Sequence, residues 1–189
     1  MEPLFRVLDV FDELGIEYMV GGSLASSIHG DPRATRDVDI IATITTTQAP
    51  LVEQRLASNF YVDARMIADA IEHRSSFNVI HRTGFKVDVF VLPERAWDRV
   101  AFTRRLSMPC PGEPIRRIFV RTAEDIVLKK LEWFRQGGAV SERQWRDVLG
   151  VLRVRRGQLD EGYLRRWARD LGIEDLLDQA AAEASDLES

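Results

Sequence analysis

The sequence predicts an α+β protein, a small mixed β-sheet with flanking helices followed by an all-helical C-terminal region. Three observations predict it. Short β-prone runs at 16–20, 37–44, 77–92 and 116–120 are interleaved with helix-period segments over the first two thirds of the chain. Two of those runs, Phe77 to His81 and Phe85 to Leu92, flank Thr83-Gly84, a hairpin signal. From Ser141 onward every stretch is helical, with brief stops at Gly157 and Gly172. The predicted boundary falls near residue 121, giving a core over 1–121 and a helical region over 122–189.

Each element has a local cause. Leu4, Val7, Leu8, Phe11 and Leu14 recur at helical spacing, and Gly15 stands where a C-terminal cap falls. Ile16 to Val20 reads as a short strand running into Gly21-Gly22. Ser23 is expected to N-cap a short helix ending near Gly30. Asp37 to Ile44 is the second strand, and Thr47 to Asn59 a helix with Leu51, Val52 and Leu56 inward. After the hairpin and Pro93, Glu94 to Arg105 is helical. Pro109-Cys110-Pro111-Gly112, with Pro114, marks a connection before a last strand at Arg116 to Val120. Thr122-Ala123-Glu124-Asp125 resembles a capping box and opens a helix reaching Gln136, which Gly137-Gly138 ends.

Composition narrows the function classes. A length of 189 residues suits one domain or a small catalytic domain with a helical appendage. The formal charge of −4 argues against a protein that coats nucleic acid generally. It averages over a lopsided chain, because 143–169 carries eight arginines while 174–189 is acidic and Ala-rich. A local basic face of that kind attracts a phosphate backbone. Cys110 is the only cysteine, so neither an intrachain disulfide nor a cysteine-based zinc cluster is available. No run approaches the ~20 apolar residues of a membrane span, and Met1-Glu2-Pro3 does not open a secretory signal. The expected location is the cytoplasm, with no membrane partner. His29, His73 and His81 show no metal-ligand spacing, and the tryptophans fall in amphipathic helices as packing residues.

The chemistry-bearing pattern is Val20-Gly21-Gly22-Ser23, then Asp37-Val38-Asp39, then Asp88 within Lys86-Val87-Asp88-Val89-Phe90-Val91. Alternation along a strand places Asp37 and Asp39 on one side, about 6–7 Å apart, with Val38 and Ile40 turned to a core. Val87, Val89 and Val91 share one face, so Asp88 leaves the apolar side. Aspartate is disfavoured in strands, and three in β-prone runs need compensation. Carboxylates so spaced can hold a pair of divalent cations for in-line phosphoryl displacement, and Mg²⁺, with Mn²⁺ as an alternative, suits one or two carboxylates plus substrate phosphates. Asp37, Asp39 and Asp88 are therefore the candidate metal ligands, with Asp88 also a candidate base. Gly21 and Gly22 let the backbone approach an anion, which Ser23 and the first amides of the next helix can then hold. In the following loop Arg33 and Arg36 are candidate phosphate clamps, with Arg33 favoured, and Thr35 is a further nucleotide-binding candidate.

These residues, Gly22, Ser23, Asp37, Asp39 and Asp88, resemble the signature of the nucleotidyltransferase superfamily that includes DNA polymerase β and the CCA-adding enzymes. The form Gly-Gly-Ser-Leu-Ala…Pro-Arg-Ala-Thr-Arg-Asp-Val-Asp-Ile is most similar to the AbiEii/MenT group, the nucleotidyltransferase toxins of type IV toxin–antitoxin systems, and to related prokaryotic proteins. The gap between Ser23 and the paired aspartates departs from the shorter one of minimal antitoxin-type enzymes. The resemblance spans roughly residues 15 to 150. It implies two further site residues, a lysine after the third carboxylate and an Arg-Asp pair on a later helix, which correspond to Lys130 and Arg146-Asp147. Residues three or four away from Lys130 are Ile126, Val127, Trp133 and Phe134, so this lysine either snorkels to solvent or is held in a site. Asp147 sits beside Val148-Leu149, near the buried side.

The expected reaction moves a nucleoside monophosphate from an NTP to an acceptor hydroxyl. RNA, a tRNA 3′ end by the resemblance, is the first expectation. The resemblance implies that the chain acts as the toxin of a type IV toxin–antitoxin system, with a cognate antitoxin as partner. A protein acceptor such as a cognate toxin is the nearest rival, and a non-catalytic nucleotide-binding regulatory module the other.

Overall fold

The computed structural model describes residues 1–35 and 37–186. Arg36, the second of the two candidate clamps, lies outside them. In chain order the elements are α1 (Glu2–Glu13), β1 (Tyr18–Val20), α2 (Gly22–His29), β2 (Asp37–Ala42), α3 (Ala49–Leu56), β3 (Phe60–Tyr61), α4 (Ala64–Glu72), β4 (Ser76–His81) and β5 (Lys86–Val91). They continue with α5 (Ala96–Thr103), β6 (Leu106–Cys110), β7 (Glu113–Val120), α6 (Ala123–Gln136), α7 (Glu142–Val154), α8 (Glu161–Asp170) and α9 (Glu174–Asp186). Two compact units result: Met1–Gly21 with Thr35–Val120, and Gly22–Ala34 with Arg121–Ser189. The first junction falls inside the Gly-Gly-Ser turn.

The first unit carries a seven-stranded sheet in the order β3-β4-β5-β2-β1-β7-β6. Pairing is parallel for β2 with β5 and β1 with β7, and antiparallel elsewhere, so the sheet is mixed. Helix α1 starts with Pro3 in its first turn, where the missing N–H costs nothing. It buries Leu4, Val7, Leu8, Val10 and Phe11. On β2 and β5 the apolar alternates Val38, Ile40, Val87 and Val89 are wholly buried. Burying each such side chain stabilises by roughly 1.5–3 kcal/mol. The whole β-propensity scale spans only about 1 kcal/mol per residue. The reverse face therefore holds both strands in place while their other face carries aspartates.

Three expectations change here. Leu51 is exposed, and α3 buries Ala49, Val52 and Leu56 instead. The proline-rich segment is a hairpin, β6 with β7, turned around Pro111-Gly112. Pro109 fits because β6 is the sheet's edge, where one face of the ladder needs no N–H. Ser23 lies within the first turn of α2, one residue inside its start at Gly22, so it does not cap that helix. Two elements had no counterpart in the sequence reading, the two-residue β3 and α4. The cap of α4 is Asp63, whose Oδ1 accepts from the N–H groups of Arg65 and Met66.

The second unit is helical. Thr122 caps α6 by accepting from the Asp125 N–H, Ser141 caps α7 and Asp160 caps α8. Ile126, Val127, Leu128 and Leu131 of α6 meet a core with Val148 and Val151 of α7 and Ala168 of α8. Helix α2 packs on α6 and α7. Its end approaches α7 backbone to backbone: a Cβ on Gly30 would lie 2.8 Å from the Val151 nitrogen, and one on Gly150 would lie 2.9 Å from Asp31 Oδ2. Gly30 is there because nothing larger fits against the α7 backbone, whereas at Gly150 the nearest obstacle is the Asp31 side chain. Among the described residues no helix is long and apolar enough to cross a membrane.

Candidate active site

The first unit carries an acidic patch. Along the parallel β2–β5 ladder Asp39 is the register partner of Asp88, and Asp37 that of Lys86. In-register side chains of neighbouring strands point to the same face, so Asp37, Asp39, Lys86 and Asp88 form a patch two residues deep on two strands. Val38 and Val87 occupy the reverse. Lys86 Nζ donates to Asp88 Oδ2 at 2.8 Å. The Asp88 carboxylate bonded to it holds the Lys86 ammonium above its ordinary value, and Asp37 and Asp39 act in the same direction. Thr35 Oγ1 donates to the Asp37 carbonyl at 2.8 Å, and the Gly21 N–H to the Asp39 carbonyl at 2.8 Å. Both interactions fix the strand that carries the pair.

The second unit carries a basic network. Gly22 opens α2 at φ +52°, a left-handed value that glycine adopts without strain. The first N–H groups of α2 have no partner within the helix. The Ser23 hydroxyl accepts from Arg33 Nη2 at 2.6 Å and from Arg143 Nη2 at 3.2 Å. Arg33 also grips Asp147 with two nitrogens, Nε and Nη2, at 2.9 Å each. Lys130 Nζ donates to the same carboxylate at 2.7 Å and to Gln144 Oε1 at 2.9 Å. Asp147 is 8% and Lys130 3% exposed in their side chains, against 28% for Arg33. Burial pushes the Asp147 carboxyl up, but the hydrogen bonds from Arg33 and Lys130 outweigh it and leave the group below its ordinary range. Asp147 in turn raises the Arg33 guanidinium. Ser27 secures the loop, donating to the Ser23 and Arg33 carbonyls and accepting from the Arg33 N–H. A cavity of about 270 Å³ opens beside Arg33 and Asp147, lined also by Ser26, Asp31, Arg146 and Arg153.

No protein-family model matches this chain, and no curated protein does. Solved structures do. The chain is similar to an antigenic nucleotidyltransferase-like protein from Paracoccidioides brasiliensis, with 17% identity and a TM-score of 0.52 over 95% of this chain and 91% of that one. It is also similar to the antibiotic-resistance factor ANT(2'')-Ia in solution, with 13% identity and a TM-score of 0.53 over 98% and 96%. A crystal structure of ANT(2'')-Ia in complex with adenylyl-2''-tobramycin gives 12% identity and a TM-score of 0.50 over 100% and 98%. The chain has the nucleotidyltransferase fold.

Within that fold the predicted residues fall into two sets. Asp37, Asp39 and Asp88 share one sheet face. Ser23, Arg33, Lys130 and Asp147 form one hydrogen-bonded network starting at Gly22. Thr35 and the Gly21 N–H serve backbone carbonyls. Two participants escaped the sequence reading. Lys86 had a legible signal, since it stands two residues before Asp88 on the same strand face. Arg143 had none, being an exposed arginine in the first turn of a helix. Of the arginines of 143–169, Arg146, Arg153, Arg165 and Arg169 pair with Glu142, Asp31, Asp178 and Glu174.

Three carboxylates on neighbouring strands supply the hard oxygen donors that Mg²⁺ takes, and the ion asks for only one or two of them. In chemistry the donor set fits. Among the described residues no three Asp, Glu, His or Cys side chains are gathered closely enough to hold a metal as they stand. One oxygen of Asp88 meets Lys86 instead.

Proposed function

We propose that the chain is a metal-dependent nucleotidyltransferase that moves a nucleoside monophosphate from an NTP to an acceptor hydroxyl. The observation that carries this reading is the in-register pair Asp39–Asp88 with Asp37 on the same face of a nucleotidyltransferase-fold sheet. Asp37, Asp39 and Asp88 would hold Mg²⁺, or Mn²⁺ in its place, which neutralises charge on the triphosphate when bound. The α2 amides, Ser23 and Arg33 take phosphate oxygens, and Lys130 with Asp147 fixes the Arg33 fork. Asp88 accepts the acceptor's proton as its oxygen attacks the α-phosphorus. The bond to the β-phosphate oxygen breaks and pyrophosphate leaves. Positioning and charge neutralisation provide the acceleration.

For the acceptor we favour RNA, a tRNA 3′ end, on the arginine-rich helices and on the resemblance to the AbiEii/MenT toxins. The same resemblance makes a cognate antitoxin a candidate partner. A specific observation favours the second reading, a protein hydroxyl, since four of those arginines already pair with acids of their own unit. The test is transfer of α-labelled NTP to total tRNA or to protein with Mg²⁺, with Asp39→Asn as control. Label on tRNA that disappears in the variant and weakens steeply with salt supports RNA. Label on protein with a shallow salt dependence supports the alternative. Transfer undiminished by Asp39→Asn overturns the catalytic assignment.

A further inference from the structure

The Lys86–Asp88 pair stands where the proposed reaction needs carboxylate oxygen. Lys86 and Asp88 sit two apart on β5, and their register partners on β2 are Asp37 and Asp39. Among the described residues of these two strands, the Lys86 ammonium shares a face with three carboxylates and bonds Asp88 at 2.8 Å. Like charges directly across a ladder destabilise it, and Asp39 opposite Asp88 is such a pair. Lys86 offsets that repulsion from within the same strand.

We propose that Lys86 is a tethered cation that stabilises the carboxylate patch in the metal-free protein and competes with the divalent ion for Asp88, releasing it when the ion binds. The inference rests on reading these carboxylates as a metal site. Three features make Lys86 suited to exchange rather than to permanent neutralisation. Its side chain is 36% exposed, so the ammonium can leave for water along a flexible four-carbon stem. Its contact with Asp88 is a single N–H···O bond from a half-buried ammonium, not a two-point fork. A divalent ion attracts the same carboxylate twice as strongly at equal separation. An arginine forking onto Asp88, as Arg33 forks onto Asp147, would be far harder to displace.

The test is Mn²⁺ binding by the full chain without nucleotide, read from the electron paramagnetic resonance signal of the free ion. Lys86→Met and Lys86→Gln are expected to bind Mn²⁺ roughly tenfold more tightly than wild type, because the competing and repelling charge is gone. Lys86→Arg keeps the charge and is expected to bind no more tightly than wild type. A second readout needs no variant: Mn²⁺ should speed acetylation of Lys86 by an activated ester, followed by mass spectrometry. Neutral variants that bind no more tightly than a wild type that does bind Mn²⁺, or acetylation indifferent to the ion, overturn this inference alone. No Mn²⁺ binding by any of the chains removes the metal-site reading together with it.

Discussion

The acidic patch of the first unit and the basic network of the second use similar ingredients in opposite proportion. Among the described residues Asp37, Asp39 and Asp88 share a face with the Lys86 ammonium, whereas Arg33, Lys130 and Arg143 gather around Ser23 and the Asp147 carboxylate. Burial differs as well. Asp37 is exposed and Asp39 and Asp88 are half-buried on strands held from behind, while Lys130 is buried and the half-buried Asp147 keeps only 8% of its side chain exposed between helices. A charge near water can change partners at little cost, but a buried one cannot. The patch is therefore suited to exchanging cations, and the network to holding donors still for an anion.

That contrast separates activity from stability. Asp39→Asn should lower nucleotidyl transfer by on the order of 10²–10³-fold. It should change unfolding free energy by no more than about 0.5 kcal/mol, as for a surface substitution. Asp147→Asn should lower stability by about 3 kcal/mol, since it removes the carboxylate that Arg33 and the buried Lys130 both bond. Urea unfolding of the two variants decides the matter, and equal losses would erase the distinction between the halves.

A smaller effect sharpens the comparison by pH. Asp147 titrates lower in the folded chain than its ordinary 3.8. The folded state thus binds fewer protons than the unfolded one across that window, and the carboxylate's contribution is complete above about pH 5. It is lost as pH falls through 3.8 towards the folded value. The stability difference between wild type and Asp147→Asn should hold steady from neutral pH to about 5 and shrink below 4. A difference that grew on acidification would reverse the assigned sign.

How much of this was legible depended on whether the signal was local. Alternation in 37–42 and 86–91 is a period-two property, so the shared face of Asp37 and Asp39 and the buried valines could be read directly. The register of Asp39 against Asp88 could not, because β2 and β5 are separated in sequence by two helices and two strands. Apolar neighbours three and four residues away left Lys130 either snorkelling to solvent or held in a site, and the partner that decides it, Asp147, lies 17 residues on. Arg33 and Asp147 are 114 residues apart, and only the close approach at Gly30 and Gly150 makes them neighbours. Proline misled in the other direction. At Pro109 it suggested a break where an edge strand tolerates it, and β3 is too short at two residues for any pattern to appear.

Arg143 offers the finest probe, because nothing in the sequence marked it and only its place beside Ser23 gives it a role. Its bond to the Ser23 hydroxyl is long at 3.2 Å, and the residue is exposed. Such a donor adds little to folding, so Arg143→Ala should leave the urea midpoint nearly unchanged. If the Ser23 turn receives the triphosphate, losing one of two guanidinium groups there should raise KM for the NTP about threefold to fivefold. Because the same contact holds ground state and transition state alike, kcat should barely move. High salt should narrow the gap between variant and wild type, since it screens an exposed charge more than the half-buried Arg33–Asp147 fork. A drop in kcat with KM unchanged would instead place Arg143 at the reacting phosphorus, and the basic network would then act in the chemical step rather than only in holding the nucleotide.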